Sequence, residues 1–251
     1  MITDWHFYAI AVPAVILLGL AKGGFSGMGA LSMPALAFVI DPRQAAAITL
    51  PILIVQDVVG VWAFRRDVDW PLLGWMLPGA AAGVAFGYAF SAAVSAEAVM
   101  AAVGAISAVF GGYRLWAARH ATPRETARWP EWAGLFFGAA SGFTSHVAHA
   151  GQPPFQLWML PRKLSPALLV GTTAVFFAAV NWIKVPAYLA LGQFTRAHLL
   201  TSLAMMPLAL ASTLAGVRLV RRVDADRFYM LIYWLMLAIG LKLVWDGFAR
   251  P

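Results

Sequence analysis

Two glycine-rich segments contain residues whose types and spacing could bind a ligand. The first, residues 19–29, reads Gly-Leu-Ala-Lys-Gly-Gly-Phe-Ser-Gly-Met-Gly, and the second, residues 138–154, ends in His-Ala-Gly-Gln-Pro-Pro. Glycine and proline interrupt helices, and the freed N–H groups, with the positive end of a half-helix, attract an anion. The residues of these segments that we expect to bind a small anionic substrate are Lys22, Gly24, Ser26, Ser145, His146 and Gln152.

The same glycines also fit a purely structural role. Gly19, Gly23 and Gly27 recur every four residues, as do Gly134, Gly138 and Gly142, a spacing that lets membrane helices pack closely. Lys22 could likewise extend its ammonium to a membrane interface instead of meeting an anion. For the break at Gly151-Gln-Pro-Pro a site is the better interpretation, because two adjacent prolines serve packing poorly.

Four polar residues lie inside otherwise apolar segments. Gln56 and Asp57 interrupt one segment, while Asn181 and Lys184, three residues apart, share a face of another predicted helix. Ionisable groups at membrane depth are functional candidates by default. We expect Gln56 and Asn181 to bind substrate. For Asp57 and Lys184 two interpretations stay open, namely ion coupling or a buried ion pair that joins the two halves.

Motifs of other chemistries are missing from the sequence. His146 and His149 have a spacing that could hold a metal ion, but no Asp, Glu or Cys cluster adjoins them. The chain contains no phosphate-binding Gly-x-x-x-x-Gly-Lys-Ser/Thr motif and no nucleophile elbow. We therefore predict no catalytic residue, no metal ion and no cofactor.

The composition places these residues in a lipid bilayer. The 251 residues are 61% hydrophobic and 12% charged, whereas soluble domains are near 45–50% and about 25%. The net charge of +7 is concentrated between apolar runs rather than on one polar face, which indicates membrane topology and argues against nucleic-acid binding.

Six apolar segments are long enough to cross a bilayer, and two more are long but broken. The predicted N-terminal unit, residues 1–118, has a broken hairpin at 5–40 and spans at 44–64, 70–90 and 98–117. A cytoplasmic linker at 119–130 follows. The C-terminal unit, residues 131–251, has a broken hairpin at 131–160 and spans at 166–191, 197–217 and 228–248. Whether each hairpin re-enters or fully crosses the membrane stays open.

The basic loops and an internal repeat predict an inverted arrangement. A shift of 119 residues superposes Gly19 on Gly138 and Pro34 on Pro153. The loops that carry Arg65-Arg66, residues 114–128, Arg162-Lys163 and residues 218–227 all fall on one side if each hairpin returns to the side it entered, and positive loops face the cytoplasm. The predicted fold is therefore an all-α integral membrane protein of two inverted repeats, each a broken-helix hairpin plus three transmembrane helices, with both termini outside.

These same residues resemble the sulfite exporter TauE/SafE family of anion transporters over nearly the whole chain. Residues 19–29 with the following Pro34-Ala-Leu look like the family's first glycine-rich segment, and residues 141–154 resemble the second. Gly112-Tyr-Arg-Leu and Gly240-Leu-Lys-Leu match the ends of its two halves. Gln152 replaces a glycine that is usual in the family, and the histidine pair is uncommon there.

The resemblance implies a secondary transporter that exports small sulfur oxyanions, sulfite or organosulfonates such as sulfoacetate, across the bacterial cytoplasmic membrane. Two alternatives stay open: a transporter of another small anion such as a carboxylate, and a membrane-embedded enzyme or assembly factor. The expected partners are a small anionic substrate, the lipid bilayer and, as a candidate assembly, a second copy in a homodimer.

Overall fold

Ten helices form the chain in the computed structural model, which describes residues 2–25, 28–120, 129–219 and 226–249. No strand occurs among these residues, so the predicted all-α class is confirmed. The helices are α1 Trp5–Lys22, α2 Ser32–Ala37 after a short turn at Met28–Leu31, α3 Pro42–Phe64, α4 Trp70–Ala93, α5 Ala96–Arg119, α6 Ala133–Ala148, α7 Gln152–Met159, α8 Pro166–Ala190, α9 Arg196–Leu219 and α10 Asp226–Ala249.

Short polar residues fix where several helices begin. The side chains of Asp4, Asp41 and Asp69 accept hydrogen bonds from backbone N–H groups in the first turns of α1, α3 and α4. Ser95 and Ser165 do the same for α5 and α8. Such caps satisfy N–H groups that have no partner within the helix.

Among the described residues, six helices are long and apolar enough to cross a membrane, namely α1, α3, α4, α5, α8 and α9. The chain is therefore a multi-pass membrane protein. α1 qualifies although it opens the first predicted hairpin, whereas α6, with 16 residues, is shorter. α10 has 24 residues but is not one of the six.

Each half contributes helices to the packing of the other. α1 packs along α9, α6 along α4 and α5 along α10, while α3 contacts both α8 and α9, and α4 also contacts α8. Exchanging α1 with α6, α3 with α8, α4 with α9 and α5 with α10 returns the same set of pairs. This exchange is what a two-fold relation between halves would produce, although the inverted repeat itself stays a prediction.

Glycines allow the closest of these contacts. A methyl group on Gly138 would lie 2.2 Å from the carbonyl oxygen of Met76, and one on Gly23 would lie 2.5 Å from the Cα of Gly216. No such approach leaves room for a side chain, so these glycines serve helix packing. The packing interpretation of the two glycine-rich segments is therefore correct at these positions.

Candidate anion site at the two helix breaks

Both helix breaks line one cavity. α1 ends at Lys22, and the chain turns through Gly24, whose φ of 124° favours glycine. α6 ends at His149 in the left-handed region, with φ of 47°, and α7 begins at Gln152. The cavity-lining residues from these breaks and from α8 include Lys22, Gly24, Ser145, His149, Ala150, Gln152, Thr173, Phe177 and Asn181.

Asp57 of α3 connects two residues that line this cavity, one from each half of the chain. Its carboxylate accepts a hydrogen bond from the ammonium of Lys22 and another, at 2.6 Å, from the amide of Asn181. The Lys22 side chain is 16% exposed and lies 5.6 Å from the ring of Phe177. Lys22 therefore points into the protein and does not extend to an interface. The Asp57–Lys184 ion pair considered from the sequence is not formed.

Lys184 is fully buried and surrounded by neutral acceptors. Its ammonium donates to the carbonyl oxygen of Ser145 at 3.2 Å, to the Ser145 hydroxyl at 3.2 Å and to Nδ1 of His149 at 2.9 Å. These bonds use all three donors of an ammonium. The carbonyl oxygen of Ala46 can only accept, so Nε2 of His149 carries the proton and donates to it at 3.2 Å, which leaves Nδ1 of a neutral ring to accept from Lys184.

A protonated Lys184 would make the charge balance of the site positive. Within the described part of the chain, the salt bridges join Lys22 to Asp57, His6 to Asp4 and Lys242 to Asp246, and none involves Lys184. With neutral histidines and Lys184 protonated, two ammonium groups against one carboxylate would leave one positive charge beside the cavity. A buried charge without a partner is costly, and a bound anion would offset that cost.

Backbone N–H groups contribute less to the site than the sequence suggests. At the first break, the N–H groups of Gly23, Gly24 and Phe25 donate to carbonyl oxygens in the last turns of α1. At the second, those of His149 and Ala150 donate to Ser145 and Thr144. The expectation of freed N–H groups at these positions is therefore wrong, because the chain folds back on the end of each helix and satisfies them.

The start of α7 offers few backbone donors for a related reason. Pro153 and Pro154 occupy its first turn, where proline is tolerated because a missing N–H breaks no helical bond. They also remove two of the N–H groups that would otherwise face an anion. The amide of the Gln152 side chain takes their place at the cavity, and its Oε1 accepts from Gln156 at 2.9 Å, so its NH₂ end can donate to a ligand.

The structure separates the predicted site residues into two groups. Lys22, Gly24, Ser145, Gln152 and Asn181 line the cavity.

Gln56 is buried and donates to the carbonyl oxygen of Val15 at 3.4 Å, while His146 is buried with its ring 5.2 Å from that of Tyr188. Neither lines the cavity, so their role in substrate binding stays a prediction without support from the cavity lining. Ser26 lies outside the described residues. A coupling role for Asp57 also stays a prediction.

Two lining residues of α8, Thr173 and Phe177, are not apparent from the sequence. They precede Asn181 by eight and four residues, so they lie on the same helix face as Asn181 and Lys184. Extending the Asn181–Lys184 face toward the N-terminus in steps of four would have found both.

Comparison with known proteins gives one family. The family model described as "Sulfite exporter TauE/SafE" matches residues 11–243, which is nearly the whole chain. No curated protein and no solved structure matches this chain. Together with the membrane-spanning helices, the match shows that the chain belongs to the sulfite exporter TauE/SafE family and is a multi-pass membrane transporter, not an enzyme.

Proposed function

We propose that this protein is a secondary transporter that exports small sulfur oxyanions across the bacterial cytoplasmic membrane. The proposed substrates are sulfite or organosulfonates such as sulfoacetate. The observation that carries the proposal is the fully buried ammonium of Lys184, which has only neutral hydrogen-bond partners and lies directly behind the cavity-lining Ser145 and His149. An anion in the cavity would supply the missing negative charge.

The lining chemistry supports binding that is also reversible. Apolar side chains such as Leu18, Leu53 and Phe177 surround a few donors, which is the usual build of a small-molecule site. Lys22 is already paired with Asp57, so it adds a hydrogen-bond donor without adding net charge. A transported anion must bind strongly enough to enter and weakly enough to leave, and such a site meets both needs.

The chemistry of the substrate class explains why a transporter is needed. Sulfonates stay anionic near neutral pH, and an ionised group has a large free-energy penalty in hydrocarbon. Donors in a cavity between helices replace the hydration shell that the anion loses. The family description names sulfite, and the finer choice among sulfite, organosulfonates and carboxylates is part of this proposal.

The proposed export direction goes with a proposed orientation in which both termini lie outside and the basic loops face the cytoplasm. The chain has no cysteine, so single cysteines introduced at Arg66, Arg124 and Arg221 can be labelled without background. Each should react with an impermeant thiol reagent only when that reagent is on the cytoplasmic side. Labelling of any one of them from outside would contradict the inverted repeat.

The direct test is flux in proteoliposomes for sulfite, sulfoacetate, sulfate and acetate. We expect sulfite or sulfoacetate to move faster than acetate, and Lys184→Met to reduce that flux much more than the surface variant Lys242→Met. Preferred movement of acetate would instead support the carboxylate alternative. No movement of any of the four anions by folded wild-type protein would refute the proposal.

A further inference from the structure

A second cavity is lined in part by residues of α7 that follow Gln152. Its walls come from the last turns of α5, the chain before α6, and α7. The lining residues that matter here are Tyr113, Arg114, Trp129, Gln156, Leu157 and Pro161. None of them was singled out from the sequence as a ligand of the substrate.

This second cavity lies at the linker end of the α6–α7 hairpin. A guanidinium nitrogen of Arg162, just after α7, donates to the carbonyl oxygen of Trp129, just before α6, at 3.2 Å. The two ends of the hairpin therefore meet, and α7 runs from there to Gln152 at the first cavity. Trp129 is 52% exposed and Leu157 is 42% exposed, so the mouth of the second cavity is open at this end.

One hydrogen bond connects the linings of the two cavities. Gln156 lines the second cavity, Gln152 lines the first, and the Gln156 amide donates to Oε1 of Gln152 at 2.9 Å. The two side chains are one helical turn apart on α7. A pair of neutral amides thus joins the two linings, and the NH₂ group of Gln156 can exchange its acceptor on Gln152 for an anion.

Arg114 gives the second cavity its charge. It is half-buried, and its guanidinium lies 5.0 Å from the ring centre of Tyr233. Stacking on an aromatic ring holds the plane of a guanidinium, and its N–H groups match two oxygens of an oxyanion. A positive group at the wall of a narrow cavity also raises the local concentration of anions.

We propose that this second cavity is an anion-binding vestibule on the linker side of the protein. Arg114 binds the substrate oxyanion there before the anion passes the Gln152–Gln156 pair into the central site. The inference deepens the proposed function and rests on it for the identity of the anion. It assigns a second binding site and a polar gate that the central site alone does not require.

Thiol labelling tests the charge of the vestibule without relying on transport. Leu157→Cys places a single thiol there in a chain that has no other. The probes are two methanethiosulfonates of similar size, the anionic sulfonatoethyl and the cationic trimethylammonioethyl reagent. We expect Arg114→Gln to lower the ratio of anionic to cationic labelling rates about fivefold, as loss of a nearby charge at high effective dielectric should.

Arg119→Gln is the matched control, since Arg119 lies on the same helix, stacks over Trp234 and does not line the cavity. It should leave the ratio within about twofold of the parent. A ratio that Arg114→Gln does not change, or that both variants change equally, would overturn the vestibule. Thermal melting of each variant confirms that the comparison is between folded proteins.

The gate is tested in the same way from the central cavity. With Ala150→Cys as the only thiol, Gln156→Ala should speed labelling by the anionic reagent from the linker side several-fold, while Leu157→Ala, its neighbour without a bond to Gln152, should not. Equal rates in both variants would refute the gate. Charge-selective labelling without flux of sulfur oxyanions would refute only the proposed function. Normal flux with equal labelling by the anionic and cationic reagents would refute only the vestibule.

Discussion

Lys22 and Lys184 reach the same region of the protein with opposite electrostatic environments. Lys22 donates to the carboxylate of Asp57, which also holds Asn181. Lys184 donates to two oxygens of Ser145 and one nitrogen of His149, all of them neutral. The Lys22 ammonium is thus paired with a carboxylate of the protein, whereas the Lys184 amine has hydrogen bonds to neutral groups only.

The difference assigns different tasks to the two lysines. A charge that is paired and hydrogen-bonded contributes to the structure, and breaking such a pair leaves an uncompensated ion. A charge that is hydrogen-bonded but unpaired contributes little to folding and attracts an anion. On this view Lys22 and Asp57 connect α1, α3 and α8, and Lys184 provides the attraction for the substrate.

The largest expected effect is on stability. Asp57→Asn keeps the shape of the side chain but removes the carboxylate from both Lys22 and Asn181. We expect a loss of about 3 kcal/mol in the free energy of unfolding, the usual cost of breaking a buried pair. Unfolding in mixed micelles measures it, and Asp246→Asn, in a more exposed pair with Lys242, should cost less than about 1 kcal/mol. Equal losses in the two variants would contradict the structural role of Asp57.

The next effect is on binding. Lys184→Met removes the charge with little change in volume, so we expect unchanged or higher stability and anion affinity lower by roughly 2 kcal/mol, about thirtyfold. Titration of purified protein with sulfite and sulfoacetate measures the affinity, with Lys242→Met as the surface control. Wild-type affinity in a folded Lys184→Met protein would show that the unpaired ammonium does not attract the substrate.

A smaller effect tests how Lys184 is held. Ser145→Ala removes one of its three acceptors and should cost about 1.5 kcal/mol of stability, as expected for a hydrogen bond to a charged group. In a Lys184→Met background the same change should cost almost nothing. A double-mutant cycle of unfolding free energies gives the coupling between the two side chains, and additive losses would mean that the bond does not matter.

The smallest effect concerns the neutral donor at the start of α7. Gln152→Ala should weaken anion binding by about 1 kcal/mol, the net contribution of an ordinary hydrogen bond. Gln152→Glu should weaken it further, because a second carboxylate would repel the substrate. Titration with sulfite measures both variants, and a stronger loss in Gln152→Ala than in Lys184→Met would reverse the ranking of neutral and charged donors.

Much of the fold was predictable because lipid imposes simple rules. A membrane helix needs about 20 apolar residues, and its ends are marked by capping residues, proline and basic loops. The all-α membrane class and the helix breaks after Lys22 and before Gln152 follow from these signals. The family resemblance rests on the same two breaks and is confirmed over residues 11–243.

The candidate site was only partly predictable. Five of the predicted ligands line the cavity because they flank a break or lie on the Asn181–Lys184 face, and residues near a break tend to point at the same space. Gln56 and His146 belong to the same segments but are turned toward α1 and Tyr188. Nothing in their sequence positions sets that rotation, since it depends on which neighbouring helix packs against each face.

The sequence by itself determined that this is a membrane protein. It also determined the positions at which the helices break and the ionisable residues that remain at membrane depth. These properties are local, because hydropathy, glycine and proline act on their own segment. Only the tertiary structure decided that Asp57 pairs with Lys22 and not with Lys184. Which ammonium approaches a carboxylate depends on how α1, α3 and α8 pack, and that pairing decides which positive charge is left for an anion.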